Sequence, residues 1–389
     1  MTRRAFIKTG TVAGFVLSLL GGAALAQDTI KIGLILPMTG PFTSTGKQIA
    51  AAANLYMAQK GATVAGKKVE IILKDDTGVA DVTRRLAQEL IVNDKVTAIA
   101  GFGLTPLALA TAPLATQAKT PMVVMAAATG IITERSPFIV RTSQVVPQIA
   151  GPFGEWVAKQ GMKKVVTIVS DYGPGHDVEK WFTDRFKANG GEVVNLRVPL
   201  QNPDFSPFLQ AAADFKPDAL LVFVPSGVGT QFMKQFVERG LDKSGIKLIG
   251  TGDVTDDDIL NTIGDVALGL VTAHHYSASH DSPENKAFVD AFKKANGGLR
   301  PNFMGVAGYD GMHALYEGLK KTNGAGGEAL VTAMKGLAWT SPRGPMSIDP
   351  ETRDIIQNVY IRKVERVNGE LYNMEFATIP NVKDPSKAK

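Results

Sequence analysis

The segment TIKIGLILPMTGP, residues 29–41, combines a short apolar run with an abrupt stop. Its isoleucines and leucines fill a run of strand length that Pro37 ends, which predicts a buried β-strand. The Thr-Gly-Pro triplet at residues 39–41 predicts a turn. From about Gly46 the apolar residues recur with helical spacing, which predicts a helix packed on that strand.

The same alternation of strand and helix continues along the chain and starts afresh after residues 141–143. Strands alternating with helices predict an α/β fold with largely parallel sheets covered on both faces. Asn368-Gly369 stands between two alternating apolar runs and predicts a hairpin near the end of the chain. We predict further strands at 69–73, 98–101, 122–125, 165–169, 193–198, 219–224 and 247–249, and helices at 79–90, 105–118, 149–159, 178–188, 208–215 and 232–237.

The first 26 residues predict export. Arg3, Arg4 and Lys8 precede a small and apolar run from residue 10 to 24, and Ala24-Leu25-Ala26 matches a signal-peptidase site. The run is shorter than the ~20 apolar residues that a membrane-spanning helix needs. The paired arginines favour the twin-arginine route, with an ordinary secretory signal as the alternative. We therefore expect cleavage after Ala26 and a periplasmic location.

Composition excludes several classes of protein. The formal net charge is +5, and removal of the three charges in the signal segment lowers it to +2. No basic face with interleaved aromatic residues suggests nucleic acid. The chain has no cysteine, so disulfides, thiolate chemistry and a lipid anchor on cysteine are all excluded. At this length we expect about two domains.

Seven short motifs are spread along the chain: residues 32–41, Asp75-Asp76, Ala112-Pro113-Leu114-Ala115, residues 120–122, residues 127–129, Arg141-Thr142 and Asp171-Tyr172-Gly173 with Gly175. In their order and spacing they resemble the periplasmic solute-binding proteins of ABC importers, in particular the branched-chain amino acid (Leu/Ile/Val)-binding family. The resemblance covers nearly all of the exported chain. It implies two Rossmann-like lobes of the type I periplasmic binding protein fold, joined by three hinge crossings around a ligand cleft. The implied lobes are 28–143 plus 275–345, and 144–274 plus 346–380.

The first predicted contact lies where a strand of the first lobe gives way to a helix. Thr105 is a good N-cap, and Pro106 suits the first helical turn that follows. Helix N-termini at the carboxyl ends of parallel strands are common anion sites. In the family this loop holds the ligand carboxylate, which implies Thr105 as the hydroxyl donor, with Leu104 as the alternative match to the stricter position.

The resemblance implies three further contacts. Ala127 and Thr129 match a second grip on the ligand, formed by a backbone carbonyl, an amide and a hydroxyl. Tyr172 matches a tyrosine that closes over the ligand from the second lobe. Thr45 matches a position that is aromatic in amino acid binders.

Other residues have competing interpretations. Tyr309 matches a cleft tyrosine, but packing on its own helix explains it equally well. Arg141 also matches a family residue. Because it would lie at a crossing between the lobes, we expect it to anchor backbone carbonyls. His176 could face a carboxylate, and a solvated side chain is the favoured interpretation.

The chain departs from amino acid binders where they hold the ligand ammonium with a carboxylate. The matching position is Gly252, and Asp253 follows one residue later. A buried ammonium without a paired charge is costly, so either Asp253 reaches the ligand or the ligand has no ammonium. Phe102, Leu104 and Met125 make the cleft more apolar. The segment 101–129 resembles the subset of the family that takes up benzoates, and we favour an aromatic or apolar monocarboxylate.

Catalytic motifs are missing from the sequence. It has no Gly-x-Ser-x-Gly elbow, no His-Glu-x-x-His and no phosphate loop. His274 and His275 are expected to alternate across a strand, which prevents them from binding one metal from one face. The acidic run 256–258 is expected to start a helix. We expect no catalytic residue, no metal and no cofactor.

The expected function is therefore solute capture for an ABC permease by a monomeric protein. An aliphatic amino acid remains an alternative ligand. A sensory role, in which the liganded protein docks on a membrane receptor, is an alternative of another class. An exported enzyme is the third hypothesis, and the missing motifs disfavour it.

Overall fold

A computed structural model describes residues 1–2 and 29–387. The predicted signal segment and its cleavage point after Ala26 lie outside the described residues. The strands, β1 to β15 in chain order, are Thr29–Leu36, Thr63–Val64, Lys67–Asp75, Ala98–Gly101, Met122–Val124, Ile139–Arg141, Lys164–Ser170, Glu192–Val198, Ala219–Phe223, Lys247–Thr251, Val271–His274, Ala338–Ser341, Gly344–Ile348, Ile355–Val367 and Glu370–Val382. The α-helices, α1 to α11, are Thr43–Lys60, Ala80–Val92, Thr105–Gln117, Val146–Lys159, Gly173–Ala188, Ser206–Asp214, Gly229–Glu238, Leu260–Ile263, Pro283–Ala295, Phe303–Lys321 and Gly327–Met334.

The first sheet has the strand order β2-β3-β1-β4-β5-β6. All its pairings are parallel except that of the short β2 with β3. The opening strand β1 lies in the interior of this sheet, where Ile32 pairs with Ile71 on one side and with Ala98 on the other. A strand flanked on both sides and covered by helices needs the continuous apolar run seen in the sequence.

The second sheet is mixed, with the order β12-β13-β14-β11-β10-β9-β7-β8. Strands β7 to β11 pair in parallel, β14 joins β11 in the antiparallel direction, and β15 pairs with β14. The predicted hairpin is confirmed. Asn368 and Gly369 have φ values of 50° and 87°, the left-handed conformation that a two-residue hairpin turn requires.

Segments that are distant in sequence complete the two lobes. Helix α10 packs along α1, with the Tyr309 and Tyr56 rings 4.9 Å apart, so the chain returns from β11 of the second sheet to the first lobe. Strand β12 falls in a range expected for the first lobe, yet it pairs with β13 and extends the second sheet. Within the described residues, none of the helices is long and apolar enough to cross a membrane.

Helix α5 starts earlier than the expected residue 178. It begins at Gly173, with Tyr172 as its N-cap and a proline in the first turn. Gly and Pro reduce helix propensity in general, but Pro suits this position. Gly175 lets the helix approach the end of β7, because a Cβ there would overlap the carbonyl oxygen of Ser170.

We predict that Gly175→Ala destabilises the fold by ~2 kcal/mol or more, because the added methyl group overpacks against backbone. Gly151→Ala on α4 is the matched control, since its Cβ would meet only side-chain carbons at 3.7 Å or beyond. Helix propensity should make that control neutral or stabilising by up to about 1 kcal/mol. Urea unfolding of both variants checks this, and equal stabilities would contradict the packing argument.

Candidate functional site

The carboxyl ends of the central strands in both sheets face one cleft. Loops after β4 and β5 form its first-lobe side, and loops after β7, β9 and β10 form its second-lobe side. Such loops are where α/β sheets bind ligands. The cleft is lined by Thr45, Gly103, Leu104, Thr105, Ala126, Ala127, Ala128, Gln144, Tyr172, Pro174, Phe223, Pro225, Ser226, Asp253 and Met304.

The structure brings six of the eight predicted contacts to this cleft. They are Thr45, Leu104, Thr105, Ala127, Tyr172 and Asp253. The sequence analysis did not single out Gln144, Phe223, Ser226 or Met304. Phe223 and Ser226 lie at the carboxyl end of β9, and that position in a parallel sheet is the signal that could have identified them.

Thr105 supplies an unused hydrogen-bonding group on the first-lobe side. It is the first residue of α3 and is 2% exposed. Its Oγ1 has no hydrogen-bond partner among the described residues. Gly101 (φ 109°) sets the loop ahead of it, since a Cβ there would overlap the Ile35 carbonyl oxygen. A hydroxyl beside a helix N-terminus, without a partner and buried, is suited to an anionic group.

Two aromatic rings form a wall on the second-lobe side. The rings of Tyr172 and Phe223 are stacked, with centroids 6.1 Å apart and planes 18° apart. Desolvation, followed by the nearby Asp253 carboxylate, holds the pKa of the Tyr172 phenol well above its usual range. The phenol therefore stays protonated, so its hydroxyl remains a hydrogen-bond donor.

Acceptor groups lie beyond that wall. Asp253 is 4% exposed, and Thr251 Oγ1 donates to its Oδ2 at 3.0 Å. Burial is the main cause that raises the pKa of Asp253 to about 6. Ser226 is 1% exposed, and its Oγ has no partner with full hydrogen-bond geometry among the described residues. It lies near the buried Asp256 carboxyl, where it opposes the rise in the pKa of Asp256 that burial causes. The cleft thus has buried hydroxyl groups on both lobes, Thr105 on the first and Ser226 and Tyr172 on the second, and one carboxyl group, that of Asp253.

Thr129 was predicted to contact the ligand, but in the structure it bonds to the other lobe. Its hydroxyl donates to Asp177 on α5, and the Gly130 amide donates to the same carboxylate oxygen at 3.0 Å. Thr129 therefore joins the lobes instead of lining the cleft, because a carboxylate of the second lobe satisfies it. Burial raises the pKa of Asp177.

A second carboxylate joins the lobes elsewhere along the cleft. Asp258, just before α8, accepts from Ser44 Oγ at 2.6 Å and from Asn302 Nδ2 at 3.1 Å. Ser44 is on α1 and Asn302 caps α10, so both donors belong to helices that pack on the first sheet. We call Asp177 and Asp258 with their donors the interlobe clasps.

Arg141 is the predicted anchor of the loop that carries Ala127 and Thr129. Its Nη1 donates to the carbonyl oxygen of Thr129 at 2.8 Å and to that of Ala127 at 3.4 Å. Its Nε lies 2.8 Å from Asp354 Oδ1, and both side chains are buried. The Ala127 carbonyl is therefore held from behind by a guanidinium.

Tyr309 is placed away from the cleft, which corrects the cleft interpretation. Its hydroxyl donates to Gln59 Oε1 at 2.6 Å, and its ring packs on Phe288 at 5.0 Å as well as on Tyr56. Tyr309 therefore lies on the side of α10 that packs against α1 and α9. The packing interpretation describes its position.

His274 and His275 were expected to point to opposite faces of a strand, and the structure differs. The rings of His274 and His275 lie side by side, with centroids 4.5 Å apart, because β11 ends at His274 and the alternation stops there. Burial lowers both pKa values well below the usual range. Within residues 29–387, no group of three or more metal-ligating side chains occurs. His176 pairs with Asp171 at 2.6 Å on the exposed surface.

The lobes are closed in this structure. The cleft has a cavity volume of about 20 Å³, which is enough for roughly one water molecule. A ligand the size of a six-membered ring therefore enters only when the lobes part or the lining side chains move. Opening must break the interlobe clasps.

We predict that Asp177→Ala shifts the ligand-free protein towards an open form. Hydrogen bonds to a charged group contribute ~1.5–3 kcal/mol, so the closed-to-open ratio should fall by about tenfold or more. The radius of gyration from small-angle X-ray scattering should increase. Asp184→Ala is the control on the same helix, because its partner Lys180 is exposed. Identical scattering from both variants and wild type would contradict the clasp.

Comparison with known proteins places this cleft in context. Residues 29–370 match the family model described as periplasmic binding protein. The chain is 44% identical to the Leu/Ile/Val-binding protein homolog 6 of Brucella abortus, over 97% of this chain and 98% of the relative.

Solved structures show the same fold. A solute-binding protein of an ABC transporter from Rhodopseudomonas palustris BisB5, in complex with 3,4-dihydroxybenzoic acid, is 65% identical with a TM-score of 0.91, covering 92% of this chain and 99% of that one. One from strain HaA2, in complex with p-hydroxybenzoic acid, is 44% identical with a TM-score of 0.89, covering 93% and 100%. With this fold, this cleft and these matches, the chain belongs to the periplasmic binding protein family, of the Leu/Ile/Val-binding type.

Proposed function

We propose that this protein is the exported binding component of an ABC importer and that it captures a small aromatic monocarboxylate in the interlobe cleft. The observation that carries the proposal is the polarity of the cleft. The unpartnered hydroxyl of Thr105 lies on one side, apolar and aromatic side chains follow, and the Ser226 hydroxyl and the Asp253 carboxyl group lie on the other side.

The wall fits a flat ring better than a short aliphatic chain. Leu104 and Met304 from the first lobe oppose the stacked Tyr172 and Phe223 from the second. Aromatic rings pack well in offset or edge-to-face contact with other rings. The benzoates bound by the two Rhodopseudomonas palustris proteins support this ligand class.

Capture works by closure in this proposal. A ligand that contacts both lobes stabilises the closed form over the open one, because only the closed form offers both sets of contacts. Thr105 would contact the carboxylate from the first lobe, and Tyr172 would cover the ring from the second. The interlobe clasps add contacts that need no ligand.

The remaining parts of the proposal concern the whole protein. Export would end with cleavage after Ala26, and a monomer would deliver the solute to permease subunits in the inner membrane. The lobes would be 28–143 plus 275–345, and 144–274 plus 346–380. Relatives act as solute-binding proteins of ABC transporters, and a non-catalytic role follows that pattern.

Two alternatives have observations in their favour. The names of several relatives refer to leucine, isoleucine and valine, and the buried Asp253 could pair with an ammonium group. An amino acid is therefore the second candidate ligand. A sensing role would use the same closed form docked on a membrane receptor.

A thermal-shift series tests the ligand class. We expect benzoate, 4-hydroxybenzoate or 3,4-dihydroxybenzoate to raise the melting temperature by several degrees at 100 times Kd, since a ligand that binds only the folded form adds ~2.7 kcal/mol. Leucine and phenylalanine should have no effect. Stabilisation by leucine and by none of the benzoates would contradict the proposal.

Tyr172→Ala should weaken benzoate binding about tenfold or more in calorimetry, because it removes the covering ring. Tyr172→Phe is the matched control that keeps the ring and removes only the hydroxyl. Unchanged affinity in the alanine variant would show that the second lobe does not clamp the ligand as described.

A further inference from the structure

We propose that the segment 384–387, which follows β15, is a strap that ties the second lobe to the first and favours the closed form. The strap adds a noncovalent link to the covalent crossings between the lobes. This inference goes beyond the proposed function, because it concerns the ligand-free protein and does not depend on which solute the cleft binds.

The strap runs from one lobe to the other. Strand β15 ends at Val382 in the second sheet, and the Val382 carbonyl oxygen accepts from Gln148 Nε2 on α4 at 2.8 Å. A few residues later the chain reaches the first lobe, because a Cβ on Gly130 would lie 2.7 Å from Ser386 Oγ. Gly130 begins the 3₁₀ helix Gly130–Arg135, which lies between β5 and β6 of the first sheet.

Lys387 anchors the far end of the strap in a buried site. Its side chain is 8% exposed, and its ammonium donates to Thr133 Oγ1 and to Asp354 Oδ2. Thr133 Oγ1 in turn donates to the same carboxylate oxygen at 2.9 Å. The buried Asp384 carboxylate lies 3.6 Å from the ammonium. A buried ammonium is costly unless it is paired, and here two carboxylates and a hydroxyl surround it.

Both partners of Lys387 outside the strap are fixed to the first lobe. Thr133 belongs to the 3₁₀ helix after β5. Asp354 ends the turn before β14, and its neighbour Arg353 bonds that turn to β6. The Arg353 carbonyl oxygen accepts from the Arg141 amide at 3.0 Å, and its Nε donates to the Ile139 carbonyl oxygen at 3.0 Å. The ammonium therefore contacts the first lobe, whereas its chain comes from the second.

Asp384 gives the strap a defined shape. Its Oδ1 accepts from the Ser386 amide at 2.9 Å and from Ser386 Oγ at 2.7 Å. An aspartate that accepts from the amide two residues later forms an Asx turn, which fixes the backbone locally. Less conformational entropy is therefore lost when Lys387 docks than a free chain would lose.

The strap supports the interlobe clasp of Asp177. Gly130 contacts both features, because its amide donates to Asp177 Oδ2 at 3.0 Å and its Cα faces Ser386. Asp177 on α5 and the end of β15 both belong to the second lobe. An opening motion that carries Gly130 away from α5 also carries it away from the end of β15. The strap must then stretch or release, so it resists opening together with the clasp.

The test measures the distance between the lobes without ligand. Spin labels on Lys47→Cys and Lys234→Cys report it, since both positions are exposed, on α1 and α7. Adding Lys387→Met keeps the length of the side chain and removes the ammonium. The closed-to-open ratio should fall by about tenfold, as expected for lost hydrogen bonds to a charged group, so the longer distance component should grow. A chain ended after Lys383, which lacks the strap, should show at least as large a shift.

Lys363→Met is the matched control. The Lys363 ammonium lies 2.6 Å from Glu365 Oε1 on the same strand, so the pair joins no two lobes, and the distances should equal those of the labelled parent. Thr133→Val removes one first-lobe partner of the ammonium and should shift the distances less, in the same direction. This variant carries the test if a melting curve shows that Lys387→Met does not fold.

Two results would overturn the strap. One is a folded Lys387→Met protein, or a folded chain ended after Lys383, whose distances match those of the parent. The other is an equal shift in Lys387→Met and Lys363→Met, because loss of any lysine charge would then explain it. Failure to bind aromatic acids would contradict the proposed function and leave this test intact, since no ligand is present.

Discussion

The buried guanidinium of Arg141 is the constraint on which the ligand cleft depends. It forms an ion pair with Asp354 at 2.8 Å and holds the carbonyl oxygens of the loop that leaves β5. Arg141 ends β6 of the first sheet and Asp354 lies just before β14 of the second, so this ion pair links the two sheets. Loss of Asp354 would leave the buried Arg141 guanidinium without its carboxylate, at a cost of ~3–5 kcal/mol, whereas Asp354 also pairs with Lys387.

Around this fixed point, the two lobes differ in what they offer a ligand. The first lobe contributes Thr105 at a helix N-terminus, which suits an anion. The second contributes an aromatic wall, the Ser226 hydroxyl and the buried Asp253 carboxyl group. In the proposed function, closure and recognition are one event, because neither lobe alone offers all the contacts. The interlobe clasps lower the cost of closure in advance, since their hydrogen bonds form without a ligand.

Local sequence patterns predicted most strands and helices, because these patterns act between residues that are close in the chain. The apolar run of β1 and the Asn368-Gly369 turn depend on residues that are adjacent in sequence, so their consequences can be derived without the fold. The start of α5 was expected too late, because Gly175 has low helix propensity and its close contact with Ser170 is tertiary.

Side-chain partners could not be predicted in the same way. Thr129 and Asp177 are 48 residues apart, and no local pattern shows that they meet across the lobes. A cleft position for Asp253 was one of two alternatives that the family resemblance left open, whereas no contact was predicted for Ser226, which also lines the cleft. The direction of the Tyr309 side chain could not be predicted, because it depends on the rotation of α10 relative to α1. That rotation is set by how the two helices pack.

Ligand-driven closure is the central claim, and a distance between the lobes tests it most directly. Because the chain has no cysteine, Lys47→Cys with Lys234→Cys places spin labels or dyes only on exposed positions of α1 and α7. Saturating 4-hydroxybenzoate should collapse the distance distribution to its shorter, closed component, and leucine should leave it unchanged. A distribution that does not change while calorimetry shows 4-hydroxybenzoate bound would contradict the account.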